Sequence, residues 1–292
     1  MQKPDEQQRG SCPSSNLGWR MNATFLKATI IIDSVKFAKS LVILSVAILI
    51  AATFFYFTRE DLTSIGDTTF VLVSLIAAIL LWITAFRIKF EDERAVWRRM
   101  AIATTFDFLG EAYWAYYEIF KGIELPSPSI ADIFWITSYL IFIFALWAQL
   151  KIMFAPTRKL IAGLTVGLLA LLAITYLFVK DIAIQGITFS TLIDFIYPYI
   201  DVVHITLVIL ILIPLWRIHS KLSTPWLLLC TSYLAFITYD FTYAYLRVFA
   251  EYYTGATIDL IYALGYILLG IAGYTKLTST EVQSATRTTR NR

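Results

Sequence analysis

Residues 68–87 read Thr-Thr-Phe-Val-Leu-Val-Ser-Leu-Ile-Ala-Ala-Ile-Leu-Leu-Trp-Ile-Thr-Ala-Phe-Arg, an uncharged run closed by Arg87 and preceded by Asp67. As a helix it rises about 30 Å, the thickness of the hydrocarbon core of a bilayer. Comparable apolar blocks fall at 38–57, 98–120, 130–150, 159–179, 192–216, 226–249 and 257–275. The 292 residues are 58% hydrophobic and 15% charged, whereas a soluble domain carries about 25% charge. That composition excludes an ordinary cytosolic enzyme, a disordered chain and a nucleic-acid-binding domain. In lipid every backbone polar group must be satisfied internally, so the blocks are read as helices. The expectation is an all-α, polytopic membrane protein with eight transmembrane helices.

Charge placement sets the orientation. The loops at one end hold Arg87, Lys89, Arg94, Arg98, Arg99, Lys151, Arg158, Lys159, Arg217 and Lys221. The other end mixes signs: Arg59, Glu60, Asp61, Asp67, Lys121, Glu124, Lys180 and Asp181. The positive-inside rule predicts a cell-membrane protein with both termini cytoplasmic, as an even number of spans requires. Residues 1–37 are expected to form a polar N-terminal tail and a basic amphipathic lead-in with Lys27 and Lys36. Residues 277–292, rich in Thr, Ser and Arg, are expected to be a disordered cytoplasmic tail.

The body between these tails repeats itself. Thr105-Phe106-Asp107-Phe108 returns as Thr238-Tyr239-Asp240-Phe241, and Trp82 has a counterpart in Trp216. A short loop with Gly122 or Gly255 comes after each Asp motif. Then Asp132-Ile-Phe-Trp-Ile-Thr-Ser-Tyr139 is matched by Asp259-Leu-Ile-Tyr-Ala-Leu-Gly-Tyr266. The chain is therefore read as two four-helix repeats, 38–150 and 151–276. Four spans per unit make the repeats parallel, related by an axis along the membrane normal.

The runs Glu111-Ala-Tyr-Trp-Ala-Tyr-Tyr-Glu118 and Pro126-Ser-Pro-Ser-Ile-Ala-Asp132 through Tyr139 carry a resemblance. With Tyr197-Pro-Tyr-Ile-Asp201, Asp240 and Asp259 through Gly270, this chain resembles the eight-helix N-terminal membrane sensory modules of prokaryotic diguanylate cyclases and sensor histidine kinases. The likeness spans about 38–275, and no kinase, cyclase or PAS segment accompanies it. It implies an integral membrane sensory or ligand-binding module that signals through a separate cytoplasmic or membrane partner.

Ionisable residues inside a bilayer are functional candidates, since each costs about 2.5–3.5 kcal/mol on insertion scales. Asp107, Glu111, Trp114 and Glu118 keep helical spacing along one face of the third block. Asp240, Tyr243 and Arg247 line up on the seventh, and Asp194, Tyr197, Asp201 and His204 on the sixth. Together they are candidates for ligand binding or a proton relay in a cavity open to the outer side. The alternative for Asp107 and Asp240 is a structural hydrogen bond that locks one repeat to the other. Asp201 and His204 at i, i+3 read either as a relay pair or as a hydrogen-bonded structural pair. Asp132 and Asp259 open their helices, where a carboxylate caps free N–H groups. A dense aromatic group (Tyr113, Trp114, Tyr116, Tyr117, Trp135, Tyr139, Tyr197 and Tyr199) suggests a pocket for an apolar or cationic small ligand. With two histidines, His204 and His219, and two cysteines, Cys12 and Cys230, neither a metal site nor a cofactor is expected. Pro198 and Pro214 interrupt the sixth block.

Two other functions compete. Paired mid-membrane acids in an eight-helix protein also resemble the lysoplasmalogenase-like membrane hydrolases, in which a carboxylate would activate water against an ether lipid. Parallel repeats with midplane acids also suit a proton- or cation-coupled transporter. Replacement of Asp107 or Asp240 by Asn is expected to disturb ligand response or catalysis more than folding. Loss of expression in both variants, read by detergent-solubilised yield, would instead mark them as structural.

Overall fold

The computed structural model describes residues 15–58, 62–126, 128–153, 158–184, 189–218, 223–249 and 252–290. The side chains of Asp194, Pro198, Pro214, Trp216 and Arg247 lie outside that description, as do Cys12 and His219. The chain order is α1 (Ser15–Thr58), α2 (Leu62–Arg87), α3 (Glu91–Ala115), a π-helical turn (Tyr116–Lys121), α4 (Ile130–Met153), α5 (Arg158–Ile184), α6 (Phe189–Ile218), α7 (Thr224–Phe249) and α8 (Asp259–Arg290). No strand occurs among the described residues.

The apolar blocks dictate these helices. Four stretches are long and apolar enough to cross a membrane: Asp33–Thr58, Leu62–Arg87, Ile130–Met153 and Asp259–Thr280. These are the helices of a multi-pass membrane protein. Shorter apolar stretches, Ile161–Ala173 and Tyr199–Ile213, lie in α5 and α6. In α3, the buried Asp107 and Glu111 and the charged start Glu91-Asp92-Glu93-Arg94 lower the hydropathy. Two boundaries differ from the sequence expectation. α1 begins at Ser15, inside the expected tail and lead-in, and α8 continues to Arg290 through the segment expected to be disordered. The reason is local: no Pro stands in either stretch, and no Gly between Gly18 and Gly66 or after Gly273, so little in them interrupts a helix.

α2 packs against α1, α3 and α8, and α6 packs against α5, α7 and α4. The consecutive pairs α2–α3, α3–α4 and α7–α8 form the most extensively packed hairpins. Small residues let α2 and α8 approach: a Cβ at Gly270 would stand 3.5 Å from the Ala77 Cα. The Thr84 hydroxyl reaches both the Leu80 carbonyl (2.8 Å) and, across the crossing, the Gly273 carbonyl (2.9 Å). Trp82 Nε1 donates to Thr105 Oγ1 (3.1 Å), tying α2 to α3 through a residue of the repeated motif.

The interior is layered along the bundle. Toward the end that carries Arg94 and Lys276 the core is apolar, with Trp97, Met100, Leu146, Ile211, Trp226 and Leu229 buried. Trp97 and Trp226 meet there with ring centroids 5.5 Å apart. Lys276 bonds to Glu93 at the same end. Toward the Gly122 and Gly255 end the core turns polar and aromatic. Outside, Phe37, Ile43, Ile50, Phe54 and Phe144 are exposed, a surface that suits lipid and not water.

Close approach at two glycines is a specific requirement of this packing. A Cβ at Gly110 would lie 2.5 Å from Trp135 Nε1, and one at Gly265 would lie 2.5 Å from Phe236 Cε1. Gly110→Ala and Gly265→Ala are each expected to destabilise by about 1–3 kcal/mol in denaturant titrations of the solubilised protein. Gly163→Ala, with open space around its Cβ, is expected to leave stability unchanged or raise it.

Candidate functional site

The acidic face of α3 divides by depth. Asp107 and Glu111 are carried into the interior, 5% and 4% exposed. The helix then widens into the π-turn Tyr116–Lys121 and stops at Gly122, whose φ of 64° suits a residue without a Cβ. A π-turn takes an extra residue per turn and so re-aims the side chains beyond it. Trp114 and Glu118 line a vestibule of about 420 Å³ at this end. Thr63 and Ser64 of α2, Glu124 of the loop, and Tyr252, Tyr253 and Thr254 before α8 complete its wall.

Beneath the vestibule, Glu111 gathers three donors on one oxygen. Trp135 Nε1 of α4 donates at 3.1 Å, and Tyr262 and Tyr266 of α8 donate at 2.7 and 3.1 Å. Trp114 packs on Trp135 with centroids 5.7 Å apart, which joins the vestibule wall to this cluster. On the other side, the Tyr139 hydroxyl of α4 donates to Asp240 of α7. Asp201 of α6 is the acid that acts most strongly on the Asp240 carboxyl.

Asp201 and His204 are both buried, with Nδ1 of the imidazole 3.9 Å from Asp201 Oδ1. That is beyond hydrogen-bond range. His204 instead uses Nε2 to donate to the Tyr139 carbonyl at 3.2 Å, which assigns the Nε2–H tautomer. The imidazole lies between Tyr139 and Tyr233, with centroids at 5.2 and 5.3 Å. Asp107 faces Ser138 of α4. Asp107, Asp201, His204, Tyr139, Tyr233 and Tyr266 border a cavity of about 20 Å³, room for a single water.

The two helix-start aspartates make matching bonds. Asp132 Oδ2 accepts from the backbone N–H (2.6 Å) and the hydroxyl (3.2 Å) of Ser129, while the Ser129 hydroxyl accepts from Ala131 N–H. This is a capping box. Asp132 Oδ1 also accepts from the Tyr197 hydroxyl at 2.9 Å. Asp259 Oδ2 accepts from the Gly255 N–H at 2.7 Å, and its Oδ1 accepts from Tyr252 at 3.1 Å. Gly255 has φ of 99°, and a Cβ there would strike Leu62 at 2.5 Å. Tyr243 belongs to a tyrosine stack, 4.6 Å from the Tyr252 ring and 5.9 Å from Tyr239. The Arg247 side chain, a sequence candidate, lies outside the described residues.

The expected aromatic group separates in the same way. Trp114 with Trp135, and Tyr139 with Tyr197 (5.8 Å), line the interior. Tyr116 is 45% exposed, beside Tyr117 and Lys121.

Sequence reasoning missed Asp67, which it placed in a loop. α2 starts at Leu62, so Asp67 lies on the helix and is 1% exposed. Neither of its carboxyl oxygens has a hydrogen-bond partner. A signal was present: Asp67 precedes Trp82 by the same fifteen positions as Asp201 precedes Trp216. Among the described residues, no group of three or more His, Cys, Asp or Glu is arranged to hold a metal ion.

No protein-family model, curated protein or solved structure matches this chain.

Glu111 sets a measurable contrast. Glu111→Ala strips the acceptor from three buried donors and is expected to destabilise on the order of 3 kcal/mol. Glu111→Gln keeps an acceptor oxygen and is expected to lose less than half as much. Unfolding in sodium dodecyl sulfate, monitored by near-ultraviolet circular dichroism, checks the order.

Proposed function

We propose that this chain is an integral membrane sensory or ligand-binding module of eight spanning helices, built as two parallel four-helix repeats with both termini cytoplasmic. A ligand enters the vestibule at the outer end and biases the packing of one repeat against the other. The change passes to a separate partner through the cytoplasmic loops. This is the activity implied by the resemblance to membrane sensory modules of prokaryotic signalling enzymes.

The observation that carries the reading is the continuity from vestibule to seam. Trp114 lines the vestibule, packs on Trp135, and Trp135 donates to Glu111, which also holds Tyr262 and Tyr266. A contiguous hydrogen-bonded and packed network is what coupling between a site and a helix interface needs. The repeat is supported by the packing map, which returns to itself when α1–α4 are exchanged with α5–α8 for the pairs α1–α2, α2–α3, α3–α4 and α2–α8. It is supported also by Asp132 and Asp259, each holding a tyrosine hydroxyl and a loop N–H. The orientation is supported by Arg87, Lys89, Arg94 and Lys151 gathering at the end opposite the vestibule.

The two competing readings, transport and ether-lipid hydrolysis, make different demands on the geometry. The Arg94 end is filled by Trp97, Trp226, Leu229 and Ile211, as both a sensory module and a transporter closed at that end would have it. Ether-lipid hydrolysis needs the substrate bond beside Asp107 or Asp240, and the cavity bordering Asp107 has room for one water.

Native mass spectrometry of the protein, extracted gently from its own membrane, tests the proposal. The expected result is a reproducible extra mass, a small molecule or a second protein, that Trp114→Ala sheds. A bare chain carrying only exchangeable lipid, together with turnover of a lysoplasmalogen by wild type and not by Asp107→Asn, would overturn it.

A further inference from the structure

Taking the ligand-binding reading above as its premise, we infer that the vestibule is a site for a substituted ammonium ion, with the paired carboxyls of Asp67 and Glu118 as its counter-charge.

Asp67 carries the inference. It is 1% exposed, and both of its carboxyl oxygens lack a hydrogen-bond partner. A buried polar group without a partner is uncommon, because it forfeits its hydration with nothing in return. The direction of this one is set by the helix. Thr63 and Ser64 line the vestibule, and Asp67 stands four and three positions after them, on the same face one turn deeper. The charge that acts on it most strongly is Glu118, itself in the vestibule wall. Glu118 Oε2 is also unpartnered. Glu118 thus brings one unpartnered carboxyl oxygen to the vestibule wall, and Asp67 holds two more one helical turn beneath that wall.

The rest of the wall selects the kind of cation. The described acids are not arranged as a metal site. Trp114, Tyr252 and Tyr253 line the same space, and aromatic faces attract ammonium groups that are too weakly hydrated to stay in water. A volume of about 420 Å³ is far larger than a bare ion needs and falls within the range of small-molecule sites. The Tyr252 ring is fixed by its bond to Asp259 and its edge contact with Tyr243, so part of the wall is rigid before any ligand arrives. An anion is disfavoured by the same carboxyls. A free amine and a lipid headgroup both present such an ammonium; the recognition chemistry is shared.

The test uses the full chain in nanodiscs of phosphatidylglycerol, with choline as probe and 3,3-dimethylbutan-1-ol as its neutral isostere, and calorimetry as the readout. Choline is expected to bind saturably and the alcohol not to bind. Glu118→Gln and Asp67→Asn are each expected to weaken choline by about tenfold or more, while Glu91→Gln at the opposite end leaves it unchanged. Because Asp67→Asn removes a buried group, Glu118→Gln is the deciding variant if the former fails to fold. Loss of choline binding in phosphatidylcholine nanodiscs would assign the site to the lipid headgroup; equal binding in both lipids would assign it to the free amine. Equal binding of choline and the alcohol, or choline binding untouched by Glu118→Gln, would overturn the cation assignment and leave the ligand-binding reading standing. Absence of any choline binding in both lipids would overturn it as well, and an extra mass retained in native spectra would then show that the site takes another class of ligand.

Discussion

Burying a carboxyl in an apolar bundle is costly unless protein donors meet it, and at Asp240 and Glu111 tyrosines from the other half of the chain do so. Tyr139 of α4 donates to Asp240 of α7, and Tyr266 of α8 donates to Glu111 of α3. Each tyrosine is the seventh residue after its helix-start aspartate, Asp132 or Asp259. The bonds run in opposite directions between the two halves, so two buried acids also join them. Interhelical hydrogen bonds in membranes contribute about 0.6 kcal/mol on average, so neither bond alone decides stability. Their weight comes from the donors gathered at one acceptor. Leaving such a group bare costs more than forming its bond contributes.

Other features stem from that requirement. Gly110 is small because Trp135 must pass it to reach Glu111. Gly265 is small because Phe236 lies against it, and Phe236 packs on Tyr262 and Tyr266. Trp135 therefore reaches Glu111 where α3 lacks a side chain, and Phe236 reaches the tyrosines where α8 lacks one. The apolar floor at Trp97 and Trp226 closes one end of the bundle, while the π-turn and Gly255 shape an opening at the other. The result is a polar interior reached from one side.

Much of this was legible in the sequence. The uncharged run before Arg87 and its companions marked where the helices lie, and four of those helices are long and apolar enough to cross a membrane. The internal repeat pointed to Asp107, Asp240, Asp132 and Asp259, and the bonds of the last two are of the kind expected at helix starts. Asp67 was misplaced because a charge beside an apolar run reads as its boundary, whereas α2 starts a full turn earlier, at Leu62. The split of the α3 face was not legible, since a π-turn has no sequence signature that helical spacing reveals. Nor could one sequence show which tyrosine meets which acid, a choice made by packing across the seam.

The most direct measurement of this account is a double-mutant cycle between Glu111→Ala and Tyr266→Phe, with unfolding free energies taken in a mild detergent. Trp135 and Tyr262 remain in place in every arm, so the cycle reads the coupling of Tyr266 to Glu111 within the shared tyrosine cluster. The account expects a coupling of about 0.6 kcal/mol or more. Effects that add to within about 0.3 kcal/mol would mean that the two groups do not hold the halves together, and would contradict it.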